Sequence, residues 1–154
     1  QFYFKSGVCW IVTLNEQSEY FKARLRDPGV FDVNAMSMFI TNNLISEKYL
    51  VCLLNSYTIF LYKRNFINST SAFQINDARQ LPIVIPTSIQ LSKFESLFDR
   101  AVEVKKAQYE NVLSNVELNH KLKEIQIELD DMVATLYQIP NFSKLSRVDD
   151  SCQP

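Results

Sequence analysis

The stretch FINSTSAFQINDARQLPIVIPT, residues 66–87, separates two different patterns in this chain of 154 residues. It runs from Phe66 through polar Asn68-Ser69-Thr70 into an apolar–polar alternation at Phe73, Gln74 and Ile75. Asn76, Asp77, Ala78 and Arg79 follow, and then the apolar LPIVIP. LPIVIP reads as a short buried strand between Pro82 and Pro86, because proline cannot donate to a ladder and is confined to strand ends and edges. Thr87, with Gln90 three residues later, forms a capping box that starts a long helix.

Downstream the period is helical. Phe94, Leu97, Phe98, Ala101, Val102 and Val104 form an apolar stripe that fades into Lys105, Lys106 and Gln108. Ser114 and Glu117 form a second capping box. Leu118, Leu122, Ile125, Leu129, Met132 and Leu136 then step by four, three, four, three and four, a heptad seam of coiled-coil type. Ile139-Pro140 ends this second helix, since proline disfavours helical geometry in the residue before it. Two capping boxes a short way apart predict an antiparallel hairpin.

Upstream, Val8 to Thr13, Phe21 to Arg26 and Val30 to Phe39 read as strands, with a turn at Asp27-Pro28-Gly29. In FKARLR, Phe21, Ala23 and Leu25 alternate with Lys22, Arg24 and Arg26, so a strand would place the three cations on one face. From Ser46, apolar residues at Leu50, Leu53, Leu54, Tyr57 and Leu61 predict two short helices. Asn55-Ser56 ends one and caps the next. The fold expected is α+β: a mixed α/β lobe over residues 1–86, a long antiparallel helical hairpin over 87–139 and a flexible tail over 140–154.

Composition narrows the function. The chain is 47% hydrophobic with only two glycines, enough to bury a core. Gln1 in place of methionine, followed at once by a strand-like segment, is expected of a piece of a longer protein. Cys9, Cys52 and Cys152 are odd in number and widely spaced, which predicts neither a disulfide framework nor a zinc site and fits a reducing cytoplasm. YLVCLLNSYTIFLY, residues 49–62, is too short to span a membrane and is interrupted by Asn55 and Ser56, so no membrane partner is expected. Residues 1–79 carry eight Lys/Arg and six Asp/Glu (+2) and residues 80–154 carry eight and eleven (−3), so a polyanion would meet the first half.

Catalytic chemistry has little to stand on. His120, the sole histidine, lies between seam positions as a solvated face residue. No serine or cysteine occupies an elbow or glycine-rich turn. Asp130-Asp131 and Asp149-Asp150 are adjacent pairs whose side chains diverge or lie in a tail, so no two-metal site is expected. No glycine-rich phosphate loop is present. Asn68-Ser69-Thr70 and Asn141-Phe142-Ser143 match the glycosylation pattern but mean little without secretion. With no catalytic or metal-ligating residues expected, a binding module is left.

NFINSTSAFQINDARQLPIVIPT (65–87), FESLFDRAVEVKKAQ (94–108) and LDDMVATLY (129–137) together resemble the C-terminal target-recognition region of bacterial restriction-modification proteins. That group comprises single-chain adenine methyltransferase and restriction enzymes and the separate specificity subunits of type I systems. FYFKSGVCWIVT (2–13), FKARL (21–25) and GVFDVNAMSMF (29–39) are similar to the opening of the same domain, so the resemblance covers about residues 2–139. It implies that an α/β lobe reads double-stranded DNA while long helices space it from, or dock it on, the methyltransferase part or a partner subunit. The Asn-Pro-Pro-Tyr-type motif of adenine methyltransferases is missing from this sequence. The resemblance therefore implies that catalysis and S-adenosylmethionine belong to upstream residues, in a parent enzyme that methylates adenine with or without cleaving DNA, and that no cofactor belongs to this segment.

On this reading Lys22, Arg24 and Arg26 would hold phosphates, Asn34 and Ser37 on the following strand would reach bases, and Gln74 and Arg79 are weaker base-reading candidates. The bland alternatives stay open. An internal pair such as Arg24 with Asp32 would use up a cation, and Asn76 and Asp77 would cap a helical turn while Gln74 and Arg79 bond backbone around it. The rival function is a helical protein-interaction or oligomerisation module.

Overall fold

A computed structural model describes residues 4–15, 18–29, 35–110, 114–140 and 142. The architecture is mixed α+β, with a three-stranded antiparallel sheet and five α-helices among the described residues. Strands β1 (Gly7–Ile11), β2 (Arg24–Arg26) and β3 (Ala35–Met38) lie in the order β2-β1-β3. The helices are α1 (Glu47–Leu54), α2 (Tyr57–Tyr62), α3 (Ile75–Ala78), α4 (Ser88–Tyr109) and α5 (Asn115–Leu136), and a π-helical turn at Lys63–Ile67 prolongs α2. No helix among the described residues is long and apolar enough to cross a membrane.

The sheet folds one face onto the helices. Val8 and Trp10 of β1 are buried on that face, and Trp10 donates its indole N–H to the Phe73 carbonyl at 2.9 Å. Phe73 stacks on Phe21 with ring centroids 3.9 Å apart, and Phe60 closes the cluster at 5.7 Å from Phe21. The alternation at Phe73 is thus that of an inserted strand-like arm: Phe73 N–H donates to the Val12 carbonyl and Leu14 N–H to that of Ser71, continuing the line of β1. Gly7 is required where it stands, because a Cβ there would lie 2.7 Å from the Met38 carbonyl oxygen.

Two sequence expectations need correction. FKARLR is extended only at Arg24–Arg26. Lys22 takes a left-handed φ of 54°, which breaks the alternation; Phe21 and Ala23 are buried but Leu25 is 42% exposed. LPIVIP is no strand. Its carbonyls are taken by hydroxyls instead of a neighbouring strand: Tyr49 of α1 donates to Val84 O at 2.6 Å, and Tyr137 at the end of α5 donates to Pro82 O. Ile85 is 58% exposed. A continuous apolar run between prolines fits this double tether as well as it fits a strand, and only a partner chain beside it could have distinguished them. The strand expected from Val30 begins at Ala35 among the described residues, and residues 30–34 lie outside them.

The helices start where the capping residues place them. Ser46 and Ser56 cap α1 and α2, and Thr87/Gln90 and Ser114/Glu117 form capping boxes on α4 and α5. At its far end α5 closes with Gln138 in the left-handed region, Ile139 N–H donating to Ala134 O and Gln138 N–H to Thr135 O, a Schellman arrangement that stops the helix before Pro140 acts. Arg100 of α4 and Glu128 of α5 pair at 2.8 Å, a solvent-exposed bridge worth at most about 1 kcal/mol. Burial joins the helices to the lobe: Phe94 and Leu97 of α4 and Ile125, Leu129 and Val133 of α5 share the core with α1 and β1. Val133 is fully buried while the heptad residue Met132 is only half-buried, so α5 shows the core a stripe wider than a two-helix seam. Of residues 140–154, only Pro140 and Phe142 are described; Phe142 is buried against Tyr57, edge to face at 6.4 Å.

Ile125→Asp is expected to destabilise the fold by about 3 kcal/mol or more, since it places an unpaired carboxylate in this shared core. Urea unfolding checks it, and a midpoint matching that of the unsubstituted protein would mean that α5 is not held by burial.

Candidate nucleic-acid interface

Strand register decides which candidates share a face. Cys9 of β1 stands opposite Arg24 on one side and Ser37 on the other, and Gly7 stands opposite Arg26. Side chains directly opposite each other project from the same face, and so do residues two apart along a strand. Arg24, Arg26 and Ser37 therefore share the face that Val8 and Trp10 do not use. Arg26 is held there, its guanidinium donating to Ser37 Oγ at 2.8 Å and to the Gly29 carbonyl at 3.1 Å. Lys22 sits two residues before β2 and is exposed. Four of the seven expected residues are thus gathered at one end of the sheet. Asn34, like the Asp32 of the alternative pairing with Arg24, lies outside the described residues.

Gln74 and Arg79 belong to another part of the surface. Gln74 precedes α3, where the Asp77 carboxylate accepts its backbone N–H at 2.8 Å and also the Asn68 amide at 3.2 Å. Arg79 donates to Asn76 Oδ1 at 3.2 Å. Asn68 Oδ1 in turn accepts Thr70 N–H and Thr70 Oγ1–H. Lys63, 2% exposed, reaches the Thr70 carbonyl at 2.6 Å; burial pulls its pKa down from the usual lysine value, and the nearby Asp77 carboxylate opposes that shift. The ordered polar residues of 66–79 mostly bond to one another, which is how a loop without regular ladders satisfies its backbone.

Strand β2 is only three residues long and owes its place to a residue the sequence marks merely as a helix end. The Asn55 side chain accepts Ala23 N–H through Oδ1 and donates to the Ala23 carbonyl through Nδ2, both at 2.8 Å, so that the amide stands in for a neighbouring strand. Gln126 of α5 donates to the Asn55 carbonyl at 3.0 Å and to Asp130 Oδ2 at 3.2 Å. Asp130 Oδ1 accepts the first free N–H of α2, that of Tyr57, at 2.7 Å. The cationic end of the sheet is thereby coupled to α1, α2 and α5. The signal for this role was absent from the sequence, because an asparagine at a helix C-cap commonly serves the cap alone.

On the other side of β2 a groove of about 920 Å³ opens between β2, α1, α4 and α5. Lys22, Arg24, Lys48, Lys105 and Lys106 line it, and Lys48 pairs with Asp99 at 2.7 Å. In the sequence Lys105 and Lys106 are only the polar end of an apolar stripe; folding brings them to the groove that Arg24 borders. Among the described residues no activated nucleophile accompanies these cations: the Cys52 thiol is buried, donates to Phe94 O at 3.6 Å and is pushed up to about 12 by desolvation. His120 is exposed, 3.7 Å from Glu124. No group of three or more histidine, cysteine or acidic side chains able to hold a metal occurs among the described residues.

Desolvation raises the Asp130 pKa to about 6, against the opposing hydrogen bonds from Tyr57 and Gln126, and the neighbouring Asp131 and Glu19 add to the rise. The folded protein therefore keeps a proton that the unfolded chain releases near pH 4. This carboxyl's stabilising share is complete below about pH 4 and is lost as pH rises through about 6. In Asp130→Asn, which retains an acceptor for Tyr57, that loss should vanish. Urea midpoints of both proteins between about pH 4 and 7 test it: a constant difference across the window would show that Asp130 does not titrate there.

Comparison with protein families, curated proteins and solved structures yields no match for this chain.

Proposed function

We propose that this chain is a sequence-specific DNA-recognition module of a bacterial restriction-modification protein, non-catalytic by itself. In this reading α4 and α5 form an antiparallel hairpin that spaces the lobe from the methyltransferase part or a partner subunit, which carries S-adenosylmethionine. The observation that carries the reading is the common face of Arg24, Arg26 and Ser37, with Lys22 beside it and an asparagine clamp behind it. A duplex presents a row of phosphates, and an antiparallel sheet face with cations at alternate positions can meet such a row. Arg26, already oriented by Ser37 and Gly29, loses little freedom on binding. Ser37 offers a small hydroxyl to a base edge, and Asn34, Gln74 and Arg79 are further contacts of this reading. Free Cys9 and Cys52 suit the cytoplasm in which such a protein would act. Two intact helix caps and the Arg100–Glu128 bridge support the hairpin.

The test is titration of the chain with mixed-sequence and single-sequence duplexes at two salt concentrations. Binding should weaken steeply with salt. Lys22→Ala, Arg24→Ala and Arg26→Ala combined should weaken it on every sequence and lower the salt slope by roughly 0.9 for each phosphate no longer neutralised. Circular dichroism guards against unfolding, since Arg26 also supports Ser37. Unaltered affinity in the folded triple variant would remove this face as the DNA-binding surface, and absence of any duplex binding would remove the function.

A further inference from the structure

We infer that the groove between β2, α1, α4 and α5 receives an acidic amphipathic helix from a protein partner. Its floor is apolar: Ala101 and Val102 of α4 and Leu122 of α5 are part-exposed there, over the buried Val51, Leu97, Ile125 and Leu129. Its rim is cationic. Five basic residues line the groove against one acidic residue, Asp99, a difference of +4. Asp99 is already engaged by Lys48, whose Nζ lies 2.7 Å from the carboxylate, so among the described residues no acid of the groove answers Lys22, Arg24, Lys105 and Lys106. Tyr109, 84% exposed, stands at the same end of α4 as the two lysines.

An occupant must satisfy both features. A polyanion such as DNA would meet the cations but would leave the apolar floor wet, and an uncharged apolar helix would cover the floor while dehydrating four cations without partners. A helix with apolar residues at i, i+3, i+4 and i+7 and carboxylates along its flanks answers both. Two neighbouring helices in the floor supply the ridges and grooves against which a third helix packs. The opposite side of α4 and α5 has the reverse balance, with Glu124, Glu128 and Asp131 against Lys93 around a second groove of about 590 Å³. Charge thus distinguishes the two sides, and an acidic helix would be repelled from one and attracted to the other. Lys22 and Arg24 border both the groove and the sheet face, so Lys105 and Lys106 are the residues that isolate the groove. This inference does not rest on DNA recognition.

The experiment uses the full chain and a fluorescein-labelled synthetic peptide of roughly 15 residues, with leucine at i, i+3, i+4 and i+7 and glutamate at most other positions. A peptide of the same composition in scrambled order serves as control, and binding is read by fluorescence anisotropy. The ordered peptide should bind. The scrambled one, and the ordered one with Lys105→Glu/Lys106→Glu, should each bind about tenfold more weakly or worse. Both lysines are exposed, so the double variant is expected to fold, and circular dichroism verifies it. Absence of binding, equal binding of the scrambled peptide, or undiminished binding by the double variant overturns the proposal. It is also overturned if the double variant loses affinity for duplex DNA and keeps it for the peptide. Self-association of the chain through these lysines without peptide binding has the same consequence, because the occupant is then a second copy.

Discussion

Two hydrogen bonds from a single side-chain amide hold the most consequential part of this fold. Asn55 grips the Ala23 peptide on both sides at 2.8 Å, and β2 begins at the next residue. A three-residue edge strand paired only to β1 has few ladder bonds with which to offset the entropy of ordering its backbone. The chain approaching it also contains Lys22 in the left-handed region, at a cost of roughly 1 kcal/mol. The amide compensates by doing what a further strand would do, and does so from a rigid position between two capped helices. Because Gln126 holds the Asn55 carbonyl and Asp130 holds the start of α2, docking of α5 and placement of β2 are parts of one polar network. Within such a network an unmade bond costs more than a made bond contributes, so its members act together.

Local rules explain what was legible in the sequence. Ser56, Thr87 and Ser114 each cap a helix as expected, and Ser46, where the helical pattern begins, caps another, because capping depends on residues within a single turn. The mixed α+β class followed from the change of apolar period, from about two before Ser46 to about 3.6 after it. What failed was non-local. LPIVIP has the composition of a buried strand, yet its neighbours are the hydroxyls of Tyr49 and Tyr137, 35 and 55 residues away in sequence. FKARLR has the alternation of a strand, but the left-handed turn at Lys22 cuts it short, and the Asn55 amide that completes it lies 32 residues from Ala23. The heptad seam describes α5 only in part, since Val133 faces a core built also by α1 and α2 and not a single partner helix.

The candidate site divides in the same manner. Alternation alone could put Arg24 and Arg26 on one face, but Ser37 joins them only because β1 pairs with both β2 and β3, and the register puts all three there. Gln74 and Arg79 could not be placed relative to that face, because the loop between Asn68 and Asp77 is shaped by its own side-chain bonds and not by a period. Lys105 and Lys106 were visible only as charges on a helix. Their meeting with Lys22 and Arg24 requires α4 to cross beside β2, which packing of Phe94 and Leu97 against α1 brings about.

The same packing explains why one molecule can present two adjacent surfaces of different chemistry. Val8 and Trp10 send the apolar face of β1 into the core, which leaves the opposite sheet face to Arg24, Arg26 and Ser37. At the margin of the sheet the core does not close: Leu25 is exposed beyond β1, and the part-exposed Ala101, Val102 and Leu122 continue the apolar surface into the groove. A cation at this margin therefore borders water-loving surface on one side and apolar surface on the other. Its aliphatic stem can cover the second while its charge serves the first. Arg24 and Lys22 occupy that margin, and the Asn55 clamp fixes the backbone between them at Ala23. Rigidity at that point sets the distance between the two surfaces, which a single part-buried amide therefore holds in register with each other.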